Sequence, residues 1–348
     1  MEIHVNLHTE NTTYKMKKIL PILLSVVIIF SACGEKKGQQ EKMTNQQAIE
    51  IITAKINKNE KDHKLYYDRA RLYMQEKRVN DAIADLNKAI QLKDNEIDYH
   101  LLLADAYFAN GDVEHSYSTL DRVLELDPEN QEAVLKQGEI AYYSKDYDRA
   151  IDNMSKVTAK DPTNRTALSI KAFVYKEKGD TANAIVLLRK VCDLYPDYAI
   201  AFDELGVIYS AHRDPLAIEY FKTAIRLDPT NTNTIYNLAM FYQETNQMDA
   251  AEEAYKQILD LDSDNKHAWH NRGYIELFTY GDTDKAIEYF TRALQCDSLF
   301  VEAYVNRGCA YELNGDRVNA EHDFRSALAH SPAYQPAIDG LHRIGKAQ

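Results

Sequence analysis

Residues 301–334 read VEAYVNRGCAYELNGDRVNAEHDFRSALAHSPAY, and the spacing of their small and aromatic side chains decides the fold. Tyr304, Gly308 and Tyr311 recur at helical spacing, Asn314-Gly315-Asp316 breaks the chain, and Ala320, Phe324 and Ala327 mark a second helical face. The stretch predicts two amphipathic helices joined by a tight turn. No run alternates with period two for long, so strands are not expected.

The same pattern returns along the chain. Pro128, Pro162 and Pro196 lie 34 residues apart, Pro229 follows after 33, Ser263 and Ser298 hold the place at steps of 34 and 35, and Pro332 comes 34 later. A fixed period in this range marks stacked supersecondary units. Gly or Ala recurs midway along each first helix, as Ala70, Ala104, Gly138, Ala172, Gly206, Ala239, Gly273 and Gly308. A small residue there lets the paired helix come close. The repeated Asp-Pro step ends each second helix, because proline lacks the N–H and its ring disfavours helix in the residue before it. Asn130, Asn164, Asn231 and Asn265 then stand where they can cap the helix that follows.

These residues resemble the tetratricopeptide repeat family. WHNRGY (269–274), YVNRGCAY (304–311) and FDELGVIY (202–209) match its pattern of a large residue, Leu-Gly and Tyr, followed by Ala, an aromatic, Ala and Pro. Arg69, Arg272 and Arg307 replace the usual Leu, Ser116 replaces an Ala, and HRDPLA is one residue short. The resemblance implies an all-α, right-handed α-solenoid of helix-turn-helix repeats. A leading helix is expected within 45–62, then eight repeats at 63–96, 97–130, 131–164, 165–198, 199–231, 232–265, 266–300 and 301–334, and a C-terminal capping helix within 335–348.

The residues before 45 differ in kind. Lys17-Lys18, the apolar run ILPILLSVVIIF (19–30) and Ser31-Ala32-Cys33 have the layout of a secretion signal. The run is too short for a bilayer span, which takes about 20 residues. FSAC (30–33) resembles a bacterial lipobox, with Phe30 where Leu is more usual. That resemblance implies a signal peptide at 16–32, lipidation of Cys33 and a polar tether at 33–44; residues 1–15 are polar and fit no signal architecture, so translation from Met16 is expected, with 1–15 as an upstream extension. Gly34 stands where an inner-membrane retention Asp would, which favours the outer membrane facing the periplasm. A soluble secreted protein is the alternative.

Forty-one basic against 54 acidic residues leave a formal net charge of -13, a field that repels phosphate backbones and argues against nucleic-acid binding. Cys192, Cys296 and Cys309 form no CxxC pair, so they read as small apolar residues rather than zinc ligands. Most Tyr, including Tyr73, Tyr107, Tyr175, Tyr209, Tyr242 and Tyr311, fall in the family's helix-packing slot.

In this family the first helices line a concave face that holds peptides or a partner's helix. Outside the packing slots, Asp98, Asp105, Glu132 and Glu139 stand beside Phe108, Tyr142 and Tyr143, as four carboxylates with no base between them. Such a face favours a basic segment of a partner, with an ordinary solvated acidic face as the alternative. Further along, Tyr236, Asn237, Met240, His270, Asn271, Tyr274 and Asn306 occupy the same surface. Asn237, Asn271 and Asn306 hold equivalent places, and a carboxamide that both donates and accepts can pair with any peptide backbone; Asn kept there for structure is the alternative. His267 and His270 would need Glu302 as a third ligand to bind metal, and no metal is expected.

Phosphate-loop, HExxH and G-x-S-x-G motifs are all missing, so the chain reads as no enzyme, with no cofactor and no small-molecule substrate. The expected function is a lipid-anchored envelope adaptor for a protein or extended peptide, in assembly of an envelope, secretion or pilus complex. A cell-wall glycan-binding lipoprotein is a second expectation. A cytoplasmic scaffold is a third, should the signal go unused.

Overall fold

The computed structural model describes residues 43–345. The expected signal segment, Cys33 and nearly all of the tether lie outside these residues. Eighteen α-helices and one π-helical turn make up the described chain, with no strand among the described residues. The chain divides into two compact units between Ser144 and Lys145.

The first unit holds α1 (Asn45–Ile56), α2 (His63–Gln75), α3 (Val79–Leu92), α4 (Ile97–Ala109), α5 (Val113–Leu126) and α6 (Gln131–Tyr143). Thr44 and Gln47 form a capping box that starts α1, which packs on α2. The α2/α3 and α4/α5 hairpins stack through α3 and α4, and α6 packs on α5.

The second unit runs α7 (Tyr147–Lys160), α8 (Arg165–Glu177), α9 (Thr181–Leu194), α10 (Ala199–Ala211), α11 (Leu216–Leu227), α12 (Thr232–Glu244) and α13 (Met248–Leu261). It continues with α14 (Lys266–Ile275), the π-helical turn (Glu276–Tyr280), α15 (Thr283–Cys296), α16 (Val301–Leu313), α17 (Arg317–His330) and α18 (Gln335–Arg343). Each hairpin packs on the next, and α18 closes the array against α16 and α17 by burying Ala337 and Leu341 beside Phe324.

Local chemistry explains the corners. The Asn130, Asn164, Asn231 and Asn265 side chains each accept a backbone N–H from the first turn of the next helix, as the sequence implies. Asp112, Asp180, Asp282 and Asp316 cap the second helices in the same way. Each hairpin turn holds one residue at positive φ, supplied by Gly at 111, 179, 281 and 315 but by Lys77, Lys145, Arg213 and Asn246 elsewhere. The residue after it donates back to a first-helix carbonyl, as from Arg78 N to Tyr73 O at 2.8 Å and from Asp316 N to Tyr311 O at 2.8 Å. This is the left-handed C-terminal stop of a helix.

The hairpins close by complementary size. A Cβ on Gly206 would lie 2.5 Å from the Phe221 ring, and one on Gly308 would lie 2.8 Å from Phe324. Three of the hairpins whose first helix carries Ala place Leu at the facing position, as in Ala70 with Leu86, Ala104 with Leu120 and Ala172 with Leu188, while Ala239 shares its core with the larger Tyr255. Burying one such Phe or Leu contributes about 1.5–3 kcal/mol.

The family departures have structural reasons. Arg69 makes a two-pronged bond to Asp85 on its partner helix, at 2.7 Å on each prong, and reaches Thr53 on α1 at 3.0 Å. Arg307 repeats this with Asp323 and Thr291, at 2.7, 2.9 and 2.9 Å. A planar guanidinium suits such forks, and these arginines tie a helix to both neighbours where Leu would only fill space. Ser116 is buried and donates to the Ala104 carbonyl at 2.7 Å.

Candidate partner-binding faces

In the first unit, α4 and α6 hold the predicted acidic residues on neighbouring first helices. Asp98 and Glu132 are exposed, while Asp105 and Glu139 are partly buried. The expectation that no base intervenes is corrected by Lys136, whose Nζ lies 2.8 Å from Asp105 and 3.6 Å from Glu132. Lys136 comes from α6 and Asp105 from α4, so their pairing depends on how the two helices pack and not on neighbouring sequence. Burial pulls the Lys136 pKa down, but Asp105, Glu132 and Glu139 together hold it above the usual lysine value. Burial pushes Asp105 and Glu139 up, against the pull of Lys136. Three carboxylates thus share one ammonium, a local surplus of negative charge that a second cation would relieve.

Aromatic rings lie along the same two helices. Phe108 and Tyr143 rings are 5.9 Å apart, and Tyr142 and Tyr143 are 5.3 Å apart. Tyr67 of α2 stacks on Tyr99 at 4.7 Å, its hydroxyl pKa raised by burial and then by Asp98.

The second unit treats its predicted residues differently. Asn271 is buried on α14, and its Nδ2 donates to the Tyr236 hydroxyl at 3.1 Å and the Tyr255 hydroxyl at 3.0 Å. Tyr255 donates in turn to Gln243 at 3.0 Å. The amide of Asn306 can only donate to His270 Nε2, at 2.9 Å, so the proton of His270 sits on Nδ1 and faces Asn271 Oδ1 at 3.2 Å. Burial depresses the His270 pKa from 6.5 to about 4 and keeps the ring neutral. The reading of Asn271 and Asn306 as open, peptide-gripping amides is therefore corrected, since both are buried and already engaged. Asn237, Met240 and Tyr274 remain partly exposed, Tyr236 keeps its hydroxyl on Asn271, and His267 is exposed with its ring 5.4 Å from Phe300.

Tyr255 and Gln243 escaped the sequence reading because one is a second-helix core residue and the other a helix-end polar residue. Among the described residues no group of three His, Cys, Asp or Glu is placed to hold a metal. Cys192, Cys296 and Cys309 are all free, and burial raises each thiol pKa, Cys192 to about 11. No helix among the described residues is long and apolar enough to cross a membrane.

Tetratricopeptide repeat profiles match residues 73–137 and 215–271, 132–164 and 166–198, and 267–298. The type IV pilus assembly protein PilF of Pseudomonas aeruginosa is 29% identical over 127 residues, 35% of this chain and 49% of PilF. The mitochondrial import receptor subunit TOM70 of Rattus norvegicus is 23% identical over 84% of this chain and 49% of that protein. The chain thus spans about half the length of each of these relatives. Among solved structures, P. aeruginosa PilF superposes with a TM-score of 0.51 at 21% identity, covering 60% of this chain and 96% of that one. A tetratricopeptide repeat protein of Parabacteroides merdae gives 0.50 at 15% identity, covering 72% and 98%. These two likenesses speak to the fold alone.

Proposed function

Because the chain belongs to the tetratricopeptide repeat family, we propose that it is a non-enzymatic, lipid-anchored adaptor of the bacterial cell envelope that docks a protein or extended peptide on its first-helix faces. Asp98, Asp105, Glu132, Glu139, Tyr142 and Tyr143 form one docking face, and Asn237, Met240 and Tyr274, with Tyr236, form another. The observation that carries the reading is the cluster in which Asp105, Glu132 and Glu139 share the single cation Lys136 beside aromatic side chains. An incoming Lys or Arg completes the charge balance there, which steers encounter and fixes register. Cys33 supplies the lipid anchor and holds the array close to the outer membrane. The partial similarity to PilF supports a place in envelope assembly, such as a pilus or secretion complex.

Cross-linking in intact cells, followed by affinity purification from detergent-solubilised membranes, tests the proposal. A stoichiometric protein partner is expected. Its recovery should fall about tenfold with Glu139→Lys, or with the milder Glu139→Gln and Asp105→Asn together. Unchanged recovery in all of these variants removes the acidic face from consideration. Retention on isolated cell wall with no protein partner would instead favour the glycan-binding reading. Mass spectrometry of the mature N-terminus should find acylated Cys33; an unprocessed N-terminus leaves the cytoplasmic scaffold.

A further inference from the structure

One hairpin of the second unit departs from the others. Its repeat, residues 266–300, holds 35 residues rather than 34. The extra residue is taken up where α14 gives way to the π-helical turn Glu276–Tyr280. In other hairpins the closing bond spans five residues, as from Asp112 N to Tyr107 O at 2.9 Å; here Asp282 N reaches back six residues to Glu276 O at 2.9 Å. A π turn is a poor continuation of a helix, and such turns recur where a surface has work to do.

The widened turn changes what faces solvent. Phe278 is 44% exposed and Tyr280 48% exposed. Phe278 rests against Tyr274, ring centroids 4.5 Å apart, and the Tyr280 hydroxyl donates to Asp249 in the first turn of α13. Between Tyr280 and that turn lies an open depression of about 430 Å³, bordered by Asn246, Met248, Asp249 and Thr279. Leu313, at the end of the next first helix, is 66% exposed. Two aromatic rings and a leucine left in water at adjacent turns form a surface that gains by being covered.

Charge indicates what covers it. Residues 232–334 carry 17 acidic against eight basic side chains, most of the surplus negative charge of the chain. Around the turn stand Asp249, Glu276, Asp282 and Asp284, and the nearest base, Lys285, is already held by Asp282 at 3.0 Å and Glu276 at 3.7 Å. We propose that this turn edge is a second docking surface, for a cationic amphipathic segment of a protein partner. An Arg or Lys of that segment lies over Tyr280 beside Asp249, and an apolar neighbour covers Phe278 and Tyr274. Ring face and carboxylate together suit a guanidinium. The surface differs from the α4–α6 acidic face and stands or falls apart from it.

Fluorescence anisotropy on the purified full chain tests this with three labelled 14-residue peptides: one of Leu, Ala and Arg with a continuous apolar face, one with Glu in place of Arg, and one with Ser in place of Leu. Only the Leu/Arg peptide should bind well. Phe278→Ala with Tyr280→Ala should weaken it about tenfold while leaving helicity and thermal midpoint near wild type. Deleting Thr279, which restores the 34-residue spacing and keeps both rings, should do the same. Glu139→Lys should leave that turn-dependent loss in place. Equal binding to wild type and the double variant overturns the proposal, and so does equal binding of the leucine-free peptide. Turn-dependent binding to phosphatidylglycerol vesicles with no peptide binding would also overturn it, by assigning the rings to a lipid surface.

Discussion

The ninth residue of the first helices separates the two units. In the first unit that place is held by Arg71 on α2, Asp105 on α4 and Glu139 on α6; in the second it is held by Phe173, Val207, Met240, Tyr274 and Cys309. The helices, caps and hairpin partners around it are built alike in both. A position that can be cationic, anionic or apolar without disturbing the hairpin is not set by packing within that hairpin. The contrast teaches that this array separates the residues that close a hairpin from a place whose chemistry can vary, from exposed to core-buried as at Cys309, as a stack of near-independent units allows. Both units bury polar side chains, but differently: the first pairs charges, as in Arg69 with Asp85 and Lys136 with Asp105, while the second also links neutral groups in the His270 network.

The largest effect should come where the units agree. The Arg69–Asp85 and Arg307–Asp323 forks serve the same purpose in each, so Asp85→Ala and Asp323→Ala should each destabilise by about 3–5 kcal/mol, leaving a half-buried guanidinium unpaired. Urea unfolding of both variants checks this, and a large loss in only one would break the equivalence. Next comes a difference. His270 is neutral when folded, its value lying below the unfolded 6.5, so its contribution is intact above pH 6.5 and is lost as pH falls toward 4. The loss is on the order of 3 kcal/mol across that window. Amide exchange at pH 7 and pH 4.5 should show the weakening in α12–α16, and His270→Gln should flatten the decline.

Smaller effects sharpen the hairpin rule. Gly206→Ala places a methyl against Phe221 and should cost about 1–3 kcal/mol, with partial rescue by Phe221→Leu, the pairing used in the Ala70, Ala104 and Ala172 hairpins. Failure of rescue would mean that size matching is not what holds Gly at that place. Smallest is a gain. Lys77→Gly and Arg213→Gly, at positive φ, should each stabilise by about 0.5–1 kcal/mol, read as a rise in thermal midpoint.

Much of the hairpin architecture was legible because it rests on neighbours in sequence. Proline stops, Asn caps and the small residue opposite Phe324 all act within one turn or one hairpin. The candidate faces were less legible because they depend on contacts between hairpins. Lys136 stands between Glu132 and Glu139 on α6, but its closest partner, Asp105, lies 31 residues away and reaches it only because α6 packs beside α4. Asn271 and Asn306 looked like a ladder on a surface, yet helix crossings turned both amides inward. Arg69 and Arg307 read as departures because their Asp partners stand 16 residues away. The extra residue at 266–300 was visible as a length, but not as a π turn that lifts two rings into solvent.

The chain of bonds from Gln243 through Tyr255, Asn271 and His270 to Asn306 has one more effect. In a simple stack the terminal hairpin can peel away while its neighbours stay folded. Here, lifting α16 strips His270 of its donor and loosens Asn271, so opening at the end spreads to α12 and α13. The last three hairpins should therefore melt as a single cooperative block, with amide protection that ends abruptly at its border rather than fading toward the C-terminus.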